Sequence, residues 1–400
     1  MRNKWYKIEH GKFDYIVRLT DLWLVSLVVL ISIFVIKRNN FNIILLDIIV
    51  GIIPLILYFV TKKNAELNTI LDKFINVNNL CKTHKSIVDE HLIYEYYPNV
   101  LAKREKKEIS IKVRLDGSLL SEKFCDENIE KALEDSLQSV CIEKYEDMGY
   151  LYMTFDSLQQ EQLRVKLDDI KQNQDKNILE MAPNIYVDII KTPHFILTGL
   201  TGSGKTYYST YLISQLTANG VRVIYLDPKN DSEMYAIFSH LPGCKYVTDI
   251  EKIHDMVISC EKEMRSRQKE LEGIPGVKIT FAPVYIVFDE LIAFHKLADK
   301  TVLAETMNAL ASIIVQGRSK QTYVGVICQR IDTKYLDGAL RENFGIRIAM
   351  GNNSSISYEM VFGPEFSKVK NRSQTLGSGL IMRQGIDSRP RPFIAPYLEK

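Results

Sequence analysis

Two apolar runs stand near the front of the chain. Residues 22–36 (LWLVSLVVLISIFVI) form an uncharged stretch, and residues 41–60 (FNIILLDIIVGIIPLILYFV) form a longer one broken only by Asp47. The second has the roughly 20 residues that a bilayer-spanning helix needs. The first reaches that length when Leu19–Asp21 sit at the interface. The intervening Lys37-Arg38-Asn39-Asn40 has room only for the turn of a helical hairpin. The pattern therefore predicts two transmembrane helices, over about 19–36 and 41–60. A cleaved signal peptide does not fit, because a second apolar run follows the first at once. Asp47 is costly in lipid, so it either faces a partner helix in an oligomer or lies near the outer interface.

Behind the hairpin the periodicity changes. Residues 64–80 read as an amphipathic helix, and 91–97, 109–115 and 149–155 as strands. Residues 126–144 read as one helix with Ile129, Leu133, Leu137 and Val140 on a face. Lys103–Lys107 (KREKK) reads as a solvated loop, with anionic lipid or DNA as the sharper alternative. Residues 159–180 are polar and read as a linker or solvated helix. From residue 181 onward, apolar strands alternate with helical stretches, which predicts a doubly wound α/β domain with a parallel sheet. The division read from the pattern is a 1–63 membrane anchor, a 64–180 small α+β domain with linker, and a 181–400 motor domain.

Composition adds little until it is split. With 46% hydrophobic and 25% charged residues in 400, wholesale disorder is excluded. The formal charge of +2 excludes a basic protein that coats nucleic acid. Residues 1–63 carry nine Lys/Arg against four acids, and residues 64–400 carry 42 against 45. The basic excess thus flanks the hairpin: Lys4, Lys7, Lys12 and Arg18 before it, Lys62 and Lys63 after it. Cytoplasmic flanks carry such charge, so both termini are expected in the cytoplasm and the protein in the cell membrane. Seven Lys/Arg in 367–400 leave that tail as either a DNA contact or a solvated end. The six cysteines are scattered without C-x-x-C spacing, which reads as reduced thiols and not as a zinc site.

The chemistry lies in the last half. Phe195–Thr198 is an apolar strand leading into Gly199-Leu200-Thr201-Gly202-Ser203-Gly204-Lys205-Thr206 and a helical stretch, Tyr207–Ala218. This is the complete G-x-x-x-x-G-K-[ST] phosphate loop in its strand–loop–helix setting. Glycines let backbone N–H groups curl around phosphates at a helix N-terminus. Lys205 would reach the β- and γ-phosphates of ATP, and Thr206 would place its hydroxyl on Mg2+. Val284–Glu290 (VYIVFDE) reads as a buried strand delivering two acids to the carboxyl edge of the sheet. Asp289 would hold Mg2+ through water, and Glu290 would polarise the attacking water. The acid pair favours an ATPase over a kinase, which must keep water out. Val221–Leu226, Tyr323–Cys328 and Ile346–Met350 read as further strands of the same sheet. Gln329, following one of them, can bond the γ-phosphate or the attacking water.

With these residues in place, the chain resembles the FtsK/SpoIIIE family of membrane-anchored DNA-translocating ATPases over about residues 185–395. The carriers are Pro193-His194-Phe195 before the phosphate loop, T-G-S-G-K-T, Asp227-Pro228-Lys229, the Asp289-Glu290 strand, Gly317-Arg318 followed by Gln329-Arg330, and Asn343-Phe344 with Arg347-Ile348. Cys328 and Ile331 depart from the family's T-Q-R-P. Within the family, two spans and a short α+β unit look like the TcpA-type coupling proteins of Gram-positive conjugative elements. The resemblance implies a RecA-like P-loop NTPase fold and a homo-hexamer threading DNA. It also implies an arginine finger supplied in trans, with Arg347 and Arg318 as candidates and Arg330 behind them. Relaxase and conjugation-channel proteins would be its partners. Other expectations for such a chain are DNA segregation, protein secretion, or a tethered scaffold that binds ATP without turnover. One phosphate loop argues against tandem secretion motors, and the intact Lys205, Asp289, Glu290 and Gln329 argue against the scaffold.

Overall fold

The computed structural model describes residues 5–10, 65–85, 92–105, 108–157, 162–272, 280–373 and 375–399. The hairpin expected over 19–36 and 41–60 lies outside these. Among the described residues no helix is long and apolar enough to cross a membrane. The chain divides into two compact units between Ser157 and Leu158.

The first unit is an α+β layer. Strand β1 is Tyr6–Lys7, and β2 (Lys82–Lys85) with β3 (Leu92–Tyr96) makes a separate hairpin. Strands β4 (Val100–Glu105), β5 (Glu108–Arg114), β6 (Ser139–Asp147) and β7 (Tyr150–Ser157) join β1 in an antiparallel sheet of order β1-β4-β5-β7-β6. Helix α1 covers residues 65–77 and α2 covers Glu127–Leu137. Strand β5 alternates strictly, with Ile109, Ile111 and Val113 buried and Ser110, Lys112 and Arg114 turned away. The buried set meets Leu71 and Phe74 of α1 and Leu133 of α2. One face of this sheet is therefore core, and the other carries polar and aromatic residues, as one-sided antiparallel sheets do.

Two expectations need correcting here. The helix predicted over 126–144 ends at Leu137, where Gln138 turns left-handed at φ 49°, and Val140 belongs to β6. The 3.6-residue pattern of Ile129, Leu133 and Leu137 runs on into Val140 by chance, so periodicity alone could not see the break. The charge run at Lys103–Lys107 is not wholly loop, because Lys103, Arg104 and Glu105 close strand β4.

The second unit is the doubly wound domain. Its central sheet has the order β13-β12-β14-β15-β11-β16-β17-β18. The smaller pieces are β8 (Arg164–Lys166), β9 (Ile178–Ala182) and β10 (Ile185–Asp188). The parallel strands are β11 (Phe195–Gly199), β12 (Arg222–Leu226), β13 (Cys244–Val247), β14 (Val284–Asp289), β15 (Thr322–Cys328) and β16 (Ile346–Met350). Antiparallel β17 (Ser378–Arg383) and β18 (Arg391–Ile394) complete it, and β19 (Tyr397–Glu399) pairs with β8.

Strands β11, β14 and β15 are apolar runs because both their faces are covered. Tyr285 and Val287 point into one core with Tyr208, Tyr211 and Leu212 of helix α3 (Lys205–Ala218). Ile286 and Phe288 point into the other, with Val257 of α4 (Ile250–Glu272) and Leu310 of α5 (Lys300–Gln316). Gly325 on β15 leaves room for the Phe195 ring of its neighbour β11, where an added Cβ would come within 2.2 Å. Residues 159–180 are not simply a linker: β8 joins β19, and Gln162 Nε2 donates to the carbonyls of Leu376 and Ala395. The basic tail is likewise folded, forming β17, β18 and β19.

Candidate functional site

Four parallel strands bring their carboxyl ends to one edge. Strand register sets Leu226 beside Phe288, so Asp227 follows beside Asp289. It sets Thr198 beside Cys328, so Gln329 follows beside Gly199. The phosphate loop, both acids and Gln329 thus share one rim, where α/β sheets bind ligands.

The loop itself is held in a glycine conformation. Gly202 and Gly204 have φ of 80° and 95°, and a Cβ at Gly199 would meet Ser203 Oγ at 2.6 Å and the Met350 carbonyl at 2.8 Å. Side chains there would strain the backbone or fill the cradle. Lys205 Nζ donates to the carbonyls of Gly199 and Leu200, across the loop's mouth. Burial pulls its pKa down, opposed by the nearby Glu290 and Asp289 carboxylates. Ser203 Oγ is buried without a hydrogen-bond partner, and Leu200, Thr201 and Thr206 are exposed. Left-handed glycines leading into a helix N-terminus, an orphaned hydroxyl and a lysine with only carbonyl partners suit a triphosphate. The residues present therefore fit ATP and Mg2+.

The acids sit at the end of β14. Tyr225 Oη donates to Asp289 Oδ2 at 2.7 Å. Burial pushes the Asp289 carboxyl up to about 6, with Asp227 and Glu290 adding to it and the Tyr225 bond opposing it. A divalent cation beside Asp289 would reverse that balance. Glu290 is buried and left-handed, at φ 58° and ψ 64°, in the position before the helix Leu291–Leu297. A non-glycine residue pays strain there, which a functional position commonly stores. Its N–H donates to the Ile327 carbonyl at 2.7 Å, and its Oε2 accepts from Lys229 Nζ at 3.0 Å. Asp227 is buried and accepts from the N–H of Lys229 and Asp231 and from Tyr246 Oη.

The remaining candidates separate. Gln329 is exposed at the rim, beside the phosphate loop. Arg347 lies at the opposite end of the sheet, paired with Ile196. Its guanidinium donates to the carbonyls of Phe344, Phe362 and Arg341 of its own chain. Arg318 is exposed on a short 3-10 turn after α5. Gly317 before it admits no side chain, since a Cβ would lie 2.0 Å from the Thr322 carbonyl. Arg330 Nε contacts Met360 Sδ at 3.4 Å.

Sequence reading gave Tyr225, Tyr246 and Lys229 no role. The Tyr225 hydroxyl is hidden because its strand reads as apolar, and Tyr246 lies in β13, a four-residue strand that the pattern did not reveal. Lys229 stood in the quoted Asp-Pro-Lys motif, but its pairing with Glu290 spans 61 residues and leaves no local trace. The loop's support was also missed: Gly377, just before β17, lies where a Cβ on Gly204 would meet its Cα at 3.3 Å. Replacing Lys229 by Ala leaves a buried carboxylate without its cation. We expect kcat for ATP to fall about tenfold with little change in KM, and Lys229→Arg to retain most activity, measured by steady-state phosphate release.

A phosphate loop on a doubly wound sheet, with two acids on a neighbouring strand end, defines a P-loop ATPase. Residues 156–323 match the model of the FtsK/SpoIIIE family, so the chain carries an FtsK/SpoIIIE-type domain. The FtsK domain-containing protein YdcQ of Bacillus subtilis is 27% identical over 289 residues, covering 70% of this chain and 58% of that protein. The DNA translocase FtsK of Chlorobaculum tepidum is 24% identical over 234 residues, covering 53% of this chain and 28% of that protein. The chain therefore spans little more than half of one relative and under a third of the other. A solved structure described as the pCW3 conjugation coupling protein TcpA, monomer form with ATPγS, superposes with a TM-score of 0.51. It is 18% identical and covers 76% of this chain and 90% of that one. That likeness shows a shared fold.

Proposed function

We propose that this chain is a membrane-anchored, ATP-driven DNA translocase that acts as the coupling protein feeding DNA into a conjugative channel. The observation that carries the reading is the meeting of Lys205, Asp289 and Glu290 on one rim of an FtsK/SpoIIIE-type sheet. The fold shared with a conjugation coupling protein supports the finer part. Residues 19–60 would anchor the chain with both termini in the cytoplasm, and DNA, a relaxase and channel proteins would be its partners.

In this reading the loop N–H groups and Lys205 bind the phosphates. Thr206 and Asp289 would hold Mg2+, which supplies neutralising charge to the phosphate oxygens. Glu290 accepts a proton from the attacking water, and Gln329 orients that water. The subunits form a hexamer, with Arg318 reaching a neighbour's nucleotide. Arg347 is the weaker finger because three carbonyls of its own chain already hold it. The charge deficit of residues 64–400 means that DNA contact rests on local surfaces repeated around the ring.

The test is phosphate release by the full chain in nanodiscs, with and without DNA. Turnover should rise at least several-fold on adding DNA, and Lys205→Ala should abolish it. Turnover indifferent to DNA would instead favour the secretion reading, and none at all would favour the scaffold.

A further inference from the structure

The outer face of the first unit's sheet carries one continuous line of side chains that the motor chemistry does not use. Register places Lys7 beside Leu101, Leu101 beside Lys112, Lys112 beside Tyr152, and Tyr152 beside Tyr145. The line crosses all five strands, and at about 4.8 Å per strand it is roughly 19 Å long. A second line beside it sets Arg114 against Tyr150.

The aromatic end is ordered. The Tyr145 and Tyr152 rings stack with centroids 4.9 Å apart and planes 7° from parallel. Tyr150 lies against Tyr152 at 6.4 Å, and Lys112 Nζ sits 3.9 Å from the Tyr150 centroid and 4.7 Å from that of Tyr152. Tyr145 is 47% exposed, although a core partner would ordinarily cover so large a ring. The other half of the face is acidic: Glu105, Glu108 and the buried Asp156 are level across three strands, Glu143 stands one rung away beside Thr154, and Lys103 pairs with Glu105. Cations and aromatics thus gather toward one end of the surface, with Glu143 and Asp147 flanking Tyr145 along its strand.

We propose that this tyrosine–lysine line is a binding surface for single-stranded DNA. The exposed Tyr145 ring, backed by Tyr152, takes an unstacked base, and Lys7, Lys112 and Arg114 meet the phosphates that follow. A duplex keeps its bases stacked inside and cannot use the rings, so the surface distinguishes one strand from two. An antiparallel sheet of this width takes about two or three bases. An anionic membrane surface is the less favoured occupant, because the rings lie flat against one another and present no apolar wedge, and Glu143, Glu146 and Asp147 border them. The inference deepens the DNA reading above and rests on it for the ligand's class.

The test uses the full chain in nanodiscs of neutral lipid without nucleotide, a fluorescent dT oligonucleotide, the same length of duplex, and phosphatidylserine vesicles. Wild type should bind the oligonucleotide more tightly than the duplex. Tyr145→Ala and Tyr152→Ala should each weaken oligonucleotide binding roughly tenfold, while the double Phe variant, which keeps both rings, should bind as wild type. Lys112→Gln should flatten a salt dependence whose logarithmic slope is about −2. Basal ATP turnover of all variants should match wild type, which shows that they are folded. Oligonucleotide binding unchanged by both Ala variants overturns the proposal, as does a loss confined to vesicle binding. If those variants bind and respond to DNA normally, the surface fails and the translocase reading stands. If they lose the oligonucleotide while wild-type turnover ignores DNA, the surface stands and the translocase reading fails.

Discussion

Glu290→Gln is expected to lower kcat for ATP by about 10²- to 10⁴-fold while leaving ATP binding near wild type. The amide matches the carboxylate in shape but cannot take the proton of the attacking water. The buried position of Glu290 and its left-handed backbone hold the side chain independently of its charge, and a Gln oxygen can still accept from Lys229. The variant should therefore fold and trap ATP. Steady-state turnover and binding of a fluorescent ATP analogue, measured on one preparation, separate the two effects. A Gln variant that hydrolyses within threefold of wild type would remove Glu290 from the chemistry and move the base elsewhere on the rim. Equal loss of binding and turnover would point to a structural role.

The second large effect is on stability. Arg383, on β17, donates from Nε to Asp387 Oδ2 at 2.8 Å and from one terminal nitrogen to Oδ1 at 2.6 Å. Its other terminal nitrogen donates to the Tyr186 carbonyl at 2.9 Å, and its own N–H donates to Asp387 Oδ2. The two side chains are 9% and 7% exposed. Asp387→Ala strands a buried guanidinium and should cost about 3–5 kcal/mol. For a unit of this size that lowers the midpoint by about 10 °C. Replacing both partners by apolar residues, Arg383→Met with Asp387→Leu, should recover most of the loss. Thermal unfolding followed by circular dichroism reads both. A single variant within 1 °C of wild type would show that water reaches the pair. Because β17 follows Gly377, which supports the phosphate loop, the single variant should also raise KM for ATP.

These two residues differ in how plainly the sequence announced them. Glu290 was legible because its strand, VYIVFDE, is buried on both faces and therefore reads as an unbroken apolar run ending in acids. The same reason made β11, β12, β15 and β16 visible, and with them the phosphate loop and Gln329. Arg383 was counted only as one charge in a basic tail. Its partner lies in a turn, and β17 and β18 are short segments interrupted by Pro and Gly. The β8–β19 pair was invisible because its strands are three residues each and stand more than 200 residues apart. Helix α2 was overextended into β6, since Val140 falls three residues after Leu137 and so continues the helical spacing although it lies in the strand. The outer tyrosines of the first unit looked like ordinary strand residues, and only the register of the β5–β7 and β6–β7 pairs lines them up with Lys112.

Movement along DNA is the central claim, and displacement reads it directly. The full chain, reconstituted in nanodiscs, is given ATP, Mg2+ and biotinylated DNA capped with streptavidin, in single- and double-stranded form. The account predicts ATP-dependent release of streptavidin, abolished by Lys205→Ala and by Glu290→Gln. ATP hydrolysis without release from either form of DNA would contradict it.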